Sequence, residues 1–79
     1  MFIIKSRKIY DYEIYINLKQ MMKKRNINRF KLAQLSGTKL ETINRFYFNE
    51  IYRVDLDILL RFCIILQCDI DDIIKIRKK

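Results

Sequence analysis

Apolar residues recur along this chain in two rhythms. From Leu18 onward they fall three and four positions apart: Leu18, Met21 and Met22; Phe30, Leu32, Ala33 and Leu35; Ile43, Phe46 and Tyr47; Leu56, Leu59, Leu60 and Cys63; Ile70, Ile73 and Ile74. That spacing lines one side of a helix, so five short helices are predicted. Before Asn17 the rhythm changes. Tyr10, Tyr12, Ile14 and Ile16 alternate with Asp11, Glu13 and Tyr15, the period of a half-buried strand. Phe2-Ile3-Ile4 is a second short strand candidate, with Lys5-Ser6-Arg7-Lys8 between the two. A hairpin arm over residues 1–16 is one reading; a first helix running back to Asp11 as its N-cap is the other. A two-stranded ribbon is marginal alone, so the arm needs the helices or another chain to pack on.

Polar punctuation sets the helix boundaries. Asn17 with Gln20, and Thr38 with Glu41, have the spacing of capping boxes, and Asn28, Asp55 and Asp69 are good N-caps. Asp72 stands at the third position after Asp69. Gly37, the one glycine in the chain, fits a left-handed helix C-terminus, where a Cβ would clash. Lys23, Lys24 and Arg25 crowd the end of the first helix, where the dipole favours cations. The fifth helix is expected to reach Ile76 and to fray over Lys75–Lys79.

The stretch from Asn28 to Arg45 thus reads as two helices joined by a tight turn. The second helix turns Ile43, Phe46 and Tyr47 inward and leaves Lys39, Leu40, Glu41, Asn44 and Arg45 on its other side. An exposed side rich in hydrogen-bonding groups, on a helix held across its neighbour, is what probing a DNA groove requires.

The ordered series Lys31-Leu32-Ala33-x-Leu35-x-Gly37-x-x-x-x-Thr42-Ile43-Asn44 resembles the Cro/phage-repressor (Xre-type) helix-turn-helix family. The likeness continues through Arg53-x-Asp55-Leu56-Asp57-x-Leu59 and Asp71-Asp72-Ile73-Ile74. It covers roughly residues 17–76 and leaves the first sixteen outside. The resemblance implies an all-α, five-helix repressor-like DNA-binding domain over residues 17–79, acting on double-stranded DNA as a homodimer. It implies phosphate contacts from Asn28, Arg29, Lys39, Tyr52 and Arg53. It places Leu40, Glu41, Asn44 and Arg45 toward base edges. Arg45 can fork onto guanine O6 and N7, and Asn44 can read adenine. Two positions keep two readings each. Leu40 is either a peripheral core contact or a thymine-methyl contact. Glu41 either serves the cap with Thr38 or accepts from cytosine N4, since phosphates repel a free carboxylate there. Phe48 and Asn49 stand where many relatives carry a polar residue and a glycine that end the helix.

Charge sharpens this picture. The 79 residues carry a formal charge of +8, which predicts an anionic partner. Between Lys19 and Arg53 lie nine cations against Glu41 and Glu50, whereas Asp55 to Asp72 holds five aspartates and one arginine. A basic half and an acidic half fit a DNA-facing side and a back. At this length one domain is expected, near the lower limit for a single core without staples.

Little in the chain supports catalysis. There is no histidine and no glycine-rich phosphate loop, and each aspartate cluster sits at a predicted helix start that capping explains. No catalytic residue and no cofactor are assigned. Cys63 and Cys68 are too few for a zinc site and are read as packing residues. No secretory signal and no membrane span are visible, so a cytoplasmic protein is expected. With no sensing domain, no small-molecule effector is expected. Two competing functions remain. A protein-binding helix-turn-helix module, such as an antitoxin or phage-encoded inhibitor, would use Tyr10, Tyr12, Tyr15 and the aromatic run at Phe46–Tyr52. An RNA binder would need stacking aromatics beside basic residues.

Overall fold

The computed structural model describes residues 7–78. In chain order it runs β1 (Arg7–Ile9), β2 (Tyr12–Ile16), α1 (Leu18–Arg25), α2 (Arg29–Ser36), α3 (Leu40–Tyr47), α4 (Leu56–Leu66), α5 (Ile70–Ile73) and β3 (Ile74–Lys78). The five expected helices and an N-terminal antiparallel hairpin are present, and β2 removes the alternative of a first helix starting near Asp11.

The hairpin turns later than its sequence suggests. Ile9 lies opposite Tyr12, so Tyr10 and Asp11 alone make the turn. Both have positive φ, 56° and 77°. This is the pattern of a type I′ turn, which matches strand twist but usually announces itself as Asn-Gly or Asp-Gly. Without that signal, the basic run Lys5–Lys8 looked like the connection, yet Arg7 and Lys8 belong to β1. Phe2–Ile4 lies outside the described residues.

The C-terminus departs further from expectation. The fifth helix ends at Ile73, and Ile74–Lys78 forms a third strand antiparallel to β2, with Ile16 opposite Ile74 and Tyr12 opposite Lys78. The sheet order is β1-β2-β3. Ile74-Lys75-Ile76-Arg77 alternates with period two and is rich in β-branched residues, which favours a strand once a partner edge is offered. Arg77 pairs with the buried carboxylate of Glu13 and stacks on Tyr15, 4.3 Å from the ring centre. Glu13 therefore faces inward where the alternation had put it on the wet side.

The core gathers Ile16, Leu18, Met21, Met22, Leu32, Ile43, Phe46, Leu59, Phe62, Leu66 and Ile73. Phe46 of α3 meets Phe62 of α4 edge to face, with ring centres 5.2 Å apart. On α4 the buried row is Leu59, Phe62 and Leu66, whereas Leu56 and Leu60 of the expected row are exposed. The helix carries two apolar rows, and the periodicity could not choose between them. Likewise Leu32 and Ala33 pack inward from α2, but Phe30 and Leu35 face solvent.

Capping divides in the same way. The Asn28 side chain accepts from the Lys31 amide at 2.7 Å, and Asp55 accepts from the Asp57 and Ile58 amides. Gly37 ends α2 in the left-handed region at φ 64°. Asp72 accepts from the Asp69 amide at 2.9 Å. Asn17 makes no side-chain cap; its amide instead donates to the Asp72 carbonyl, tying α1 to α5. The Thr38–Glu41 box does not form, because Lys39 is the N-cap of α3 and Glu41 falls one residue too early. Thr38 is buried and its hydroxyl faces the Ser36 carbonyl at 3.5 Å.

Candidate nucleic-acid interface

The site is built on α3, whose inward side is fixed by the fully buried Ile43 and Phe46. With these two anchored, helical geometry turns Glu41 and Arg45 outward, one turn apart. They form an ion pair at 2.9 Å, with both side chains largely exposed. The Glu41 carboxylate is thus engaged by Arg45 rather than by the helix cap. An exposed pair at this spacing stabilises the helix by only about 0.3–0.5 kcal/mol.

Beside Arg45, the chain leaving α3 folds back to make an open groove. Thr42, Arg45, Glu50, Tyr52 and Arg53 line it over an apolar floor that includes Phe46 and Ile51. Three of the residues expected at DNA, Arg45, Tyr52 and Arg53, are thereby brought together. Lys39 is exposed at the entrance of α3. Leu40 is half-buried and packs against the core.

A second group forms on the other flank of α3. The Arg29 guanidinium, at the start of α2, donates to the Asn44 side-chain oxygen at 2.7 Å. Its Cζ lies 4.8 Å from the Tyr47 ring centre and 5.2 Å from that of Phe48. Tyr47 also receives Lys19, whose Nζ is 5.6 Å away. Contacts of this kind contribute on the order of 0.5–1 kcal/mol each at exposed sites. Asn28, Lys19, Lys23, Arg29 and Tyr47 line the shallow groove on this side. The sequence marks Lys19 only as one of the cations of the basic half, and it assigns Tyr47 and Phe48 no role as a platform for cations. The aromatic run after Asn44 was the available signal.

Asn49 is a residue the sequence marked only as unusual. It takes the left-handed conformation, φ 57°. Its side chain accepts from the Ile16 amide and donates to the Ile16 carbonyl at 2.8 Å. The end of α3 is thereby tied to the sheet. Arg25 has a comparable duty: it donates to the Leu66 and Gln67 carbonyls at 2.7 and 3.1 Å, satisfying the end of α4.

Among the described residues, no helix is long and apolar enough to cross a membrane. The carboxylates of Asp69, Asp71 and Asp72 approach one another at the start of α5, where Asp72 already serves the cap.

Solved structures share this fold. Among solved structures, the transcriptional regulator VanUg superimposes with a TM-score of 0.67 at 25% identity, covering 92% of this chain and 99% of that one. A structure described as "a putative DNA-binding protein from Bacteroides fragilis" superimposes with a TM-score of 0.70 at 22% identity, covering 78% of this chain and 98% of its own. The second likeness is one of fold. Among curated proteins, none matches the chain. The model of the Cro/C1-type helix-turn-helix DNA-binding domain matches residues 17–79, the segment that carries α1 to α5. The chain belongs to the Cro/C1-type helix-turn-helix DNA-binding domain family.

Proposed function

We propose that the protein is a cytoplasmic transcriptional repressor that binds a roughly palindromic operator as a homodimer. Two copies of α3 enter successive major grooves about one helical turn apart, and the bound dimer blocks polymerase without any catalytic step or small-molecule effector. The observation that carries this reading is the Glu41–Arg45 pair on the outward side of α3, in one groove with Tyr52 and Arg53. Arg45 reaches guanine with N–H groups not turned to Glu41, while Leu40 and Asn44 meet neighbouring base edges. Asn28, Arg29, Lys39, Tyr52 and Arg53 meet phosphates, with Arg29 using N–H groups not turned to Asn44. The likeness to the transcriptional regulator VanUg supports the regulatory role.

The test is selection from a pool of randomised duplexes, followed by titration of operator and scrambled DNA at two salt concentrations. Lys39→Ala should weaken both duplexes alike and lower the salt slope by about 1.8, because the bound dimer loses two phosphate contacts. Arg45→Ala should remove roughly 1–3 kcal/mol of discrimination at one base pair per half-site. Enrichment of no sequence by the wild-type protein would overturn the reading.

A second reading has an observation of its own. Leu56, Leu60 and Ile64 form an exposed apolar row along α4, extended by Ile70. Such a row marks a surface that another protein covers. In the repressor reading it is the face shared by two copies. In an antitoxin or phage-encoded inhibitor it would receive a different chain, and sedimentation of the purified protein as a monomer would favour that role.

A further inference from the structure

We infer that Tyr47 is a positioning residue that brings Lys19 of α1 beside Arg29, and that Lys19 is a further phosphate contact. The first helix then meets the DNA backbone together with α2 and α3. The inference rests on the operator-binding reading above and deepens it.

The structure gives the four cations of α1 different places. Arg25 donates to the carbonyls that end α4. Lys24 lines a separate groove with Gln20, Asp72 and Lys75. Lys23 lines both that groove and the one at Asn28 and Arg29, and the helix dipole already favours a cation in its last turn. Lys19 has no such account. It is exposed and stands in the first turn of α1, where the dipole disfavours a cation and no acidic residue is present.

Arg29 shares this peculiarity. It is the first residue of α2, whose first turn also holds no acidic residue. The two side chains converge on one ring: the Tyr47 centre lies 5.6 Å from Lys19 Nζ and 4.8 Å from Arg29 Cζ. The electron-rich face of the ring attracts both cations and offsets part of the cost of placing them together. Among the described residues, no carboxylate forms an ion pair with either. Two cations gathered at the disfavoured ends of two helices do not serve the stability of those helices. They raise the local positive potential, which suits a polyanion. That potential lies on the DNA-facing side, because Arg29 also touches Asn44 of α3. With Arg29 on a phosphate, an ammonium at the same ring meets that phosphate or its neighbour.

The experiment titrates operator and scrambled duplexes at several salt concentrations with the wild type, Lys19→Ala, Lys24→Ala, Tyr47→Phe and Tyr47→Leu, with melting curves for each. Lys19→Ala should weaken both duplexes alike and lower the salt slope by about 1.8, because the bound dimer loses two phosphate contacts. Its melting temperature should hold or rise, since a disfavoured cation leaves the first turn. Lys24→Ala removes the same charge from the same helix and should lower the slope by less than half as much. Tyr47→Phe keeps the ring and should bind like the wild type. Tyr47→Leu keeps an apolar side chain against the core but loses the ring. It should weaken both duplexes by roughly two- to fivefold per half-site, with the base preference unchanged. Equal slopes for Lys19→Ala and Lys24→Ala would overturn the phosphate contact. Binding by Tyr47→Leu as tight as wild type, or by Tyr47→Phe as weak as Tyr47→Leu, would overturn the positioning role. Operator binding would stand in each of these cases. If Tyr47→Leu does not fold, the two lysine slopes decide the matter. Binding of no duplex by the wild type would overturn both this inference and the operator reading.

Discussion

Asn49 satisfies both backbone polar groups of Ile16: its amide oxygen accepts from the Ile16 N–H and its nitrogen donates to the Ile16 carbonyl. One side chain thus supplies what a strand neighbour would supply at the end of β2. It does so from a left-handed backbone position just beyond α3. The relationship couples the placement of α3 to the sheet, thirty-three residues earlier in the chain.

Replacing Asn49 separates two contributions. Asn49→Gly keeps the positive φ without strain but uncovers the part-buried groups of Ile16, at a cost of about 1–3 kcal/mol. Asn49→Ala adds the penalty of a Cβ in the left-handed region, roughly 1 kcal/mol more. Urea denaturation should rank wild type above Asn49→Gly and Asn49→Gly above Asn49→Ala. Equal stability of all three would mean that water replaces the side chain freely.

The C-terminal strand yields a sharper contrast. A fraying helix end can be removed with little effect, but β3 covers one edge of β2 and supplies Arg77 to the buried Glu13. Deleting residues 75–79 should lower the unfolding midpoint and speed hydrogen exchange at the amides of β2. Arg77→Ala alone should destabilise the fold by less than the deletion, because the backbone ladder between β2 and β3 remains in place. Unaltered exchange in β2 after the deletion would show that β3 contributes nothing to the sheet.

What could be read from the sequence follows the range of each interaction. The caps at Asn28 and Asp55 and the left-handed turn at Gly37 depend on residues within one helical turn, and the sequence announces them. Lys39, Leu40, Glu41, Asn44 and Arg45 are read on the outward side of α3 because Ile43 and Phe46 are its strongest apolar anchors, and of these Leu40 turns back onto the core. The strand at Ile74–Lys78 was missed because its partner is some sixty residues away, and a run containing Ile73 and Ile74 also suits a helix. The same limit hid the contact of Arg29 with Asn44, which exists only once α2 and α3 are crossed. On α4, two apolar rows satisfy one periodicity, and only packing decides that Phe62 enters while Leu60 stays out.

The exposed row gives a prediction about assembly. Leu60 is the middle of Leu56, Leu60 and Ile64, and it is 58% exposed in the single chain. Leu60→Glu should leave the melting temperature of the monomer nearly unchanged, since no core contact is lost. It should weaken self-association, and operator affinity should fall with it if two copies are needed. Sedimentation at several concentrations, with and without operator, checks both effects. Unchanged association would place the dimer contact elsewhere.

The thiols supply the last prediction. Burial pushes the Cys68 thiol up to about 11, helped by the neighbouring Cys63 and Asp72. Burial also raises Cys63, although its hydrogen bond with Cys68 opposes the shift. A raised value means that the folded protein binds the thiol proton more tightly than the unfolded chain, whose thiols titrate near the ordinary 9.0. The associated stability is therefore complete below pH 9 and is lost as the pH rises from there toward 11. Cys68→Ala removes the group that titrates and should flatten the decline of the unfolding midpoint across that window, at the cost of some packing at every pH. Alkylation offers an independent check, because the thiolate is the reactive form. At pH 8, Cys68 in the folded protein should react with iodoacetamide more slowly than in the urea-unfolded chain, after correction for the effect of urea on the reagent. Equal rates, or a midpoint that falls as steeply in Cys68→Ala as in the wild type, would show that the thiol titrates as it does in water.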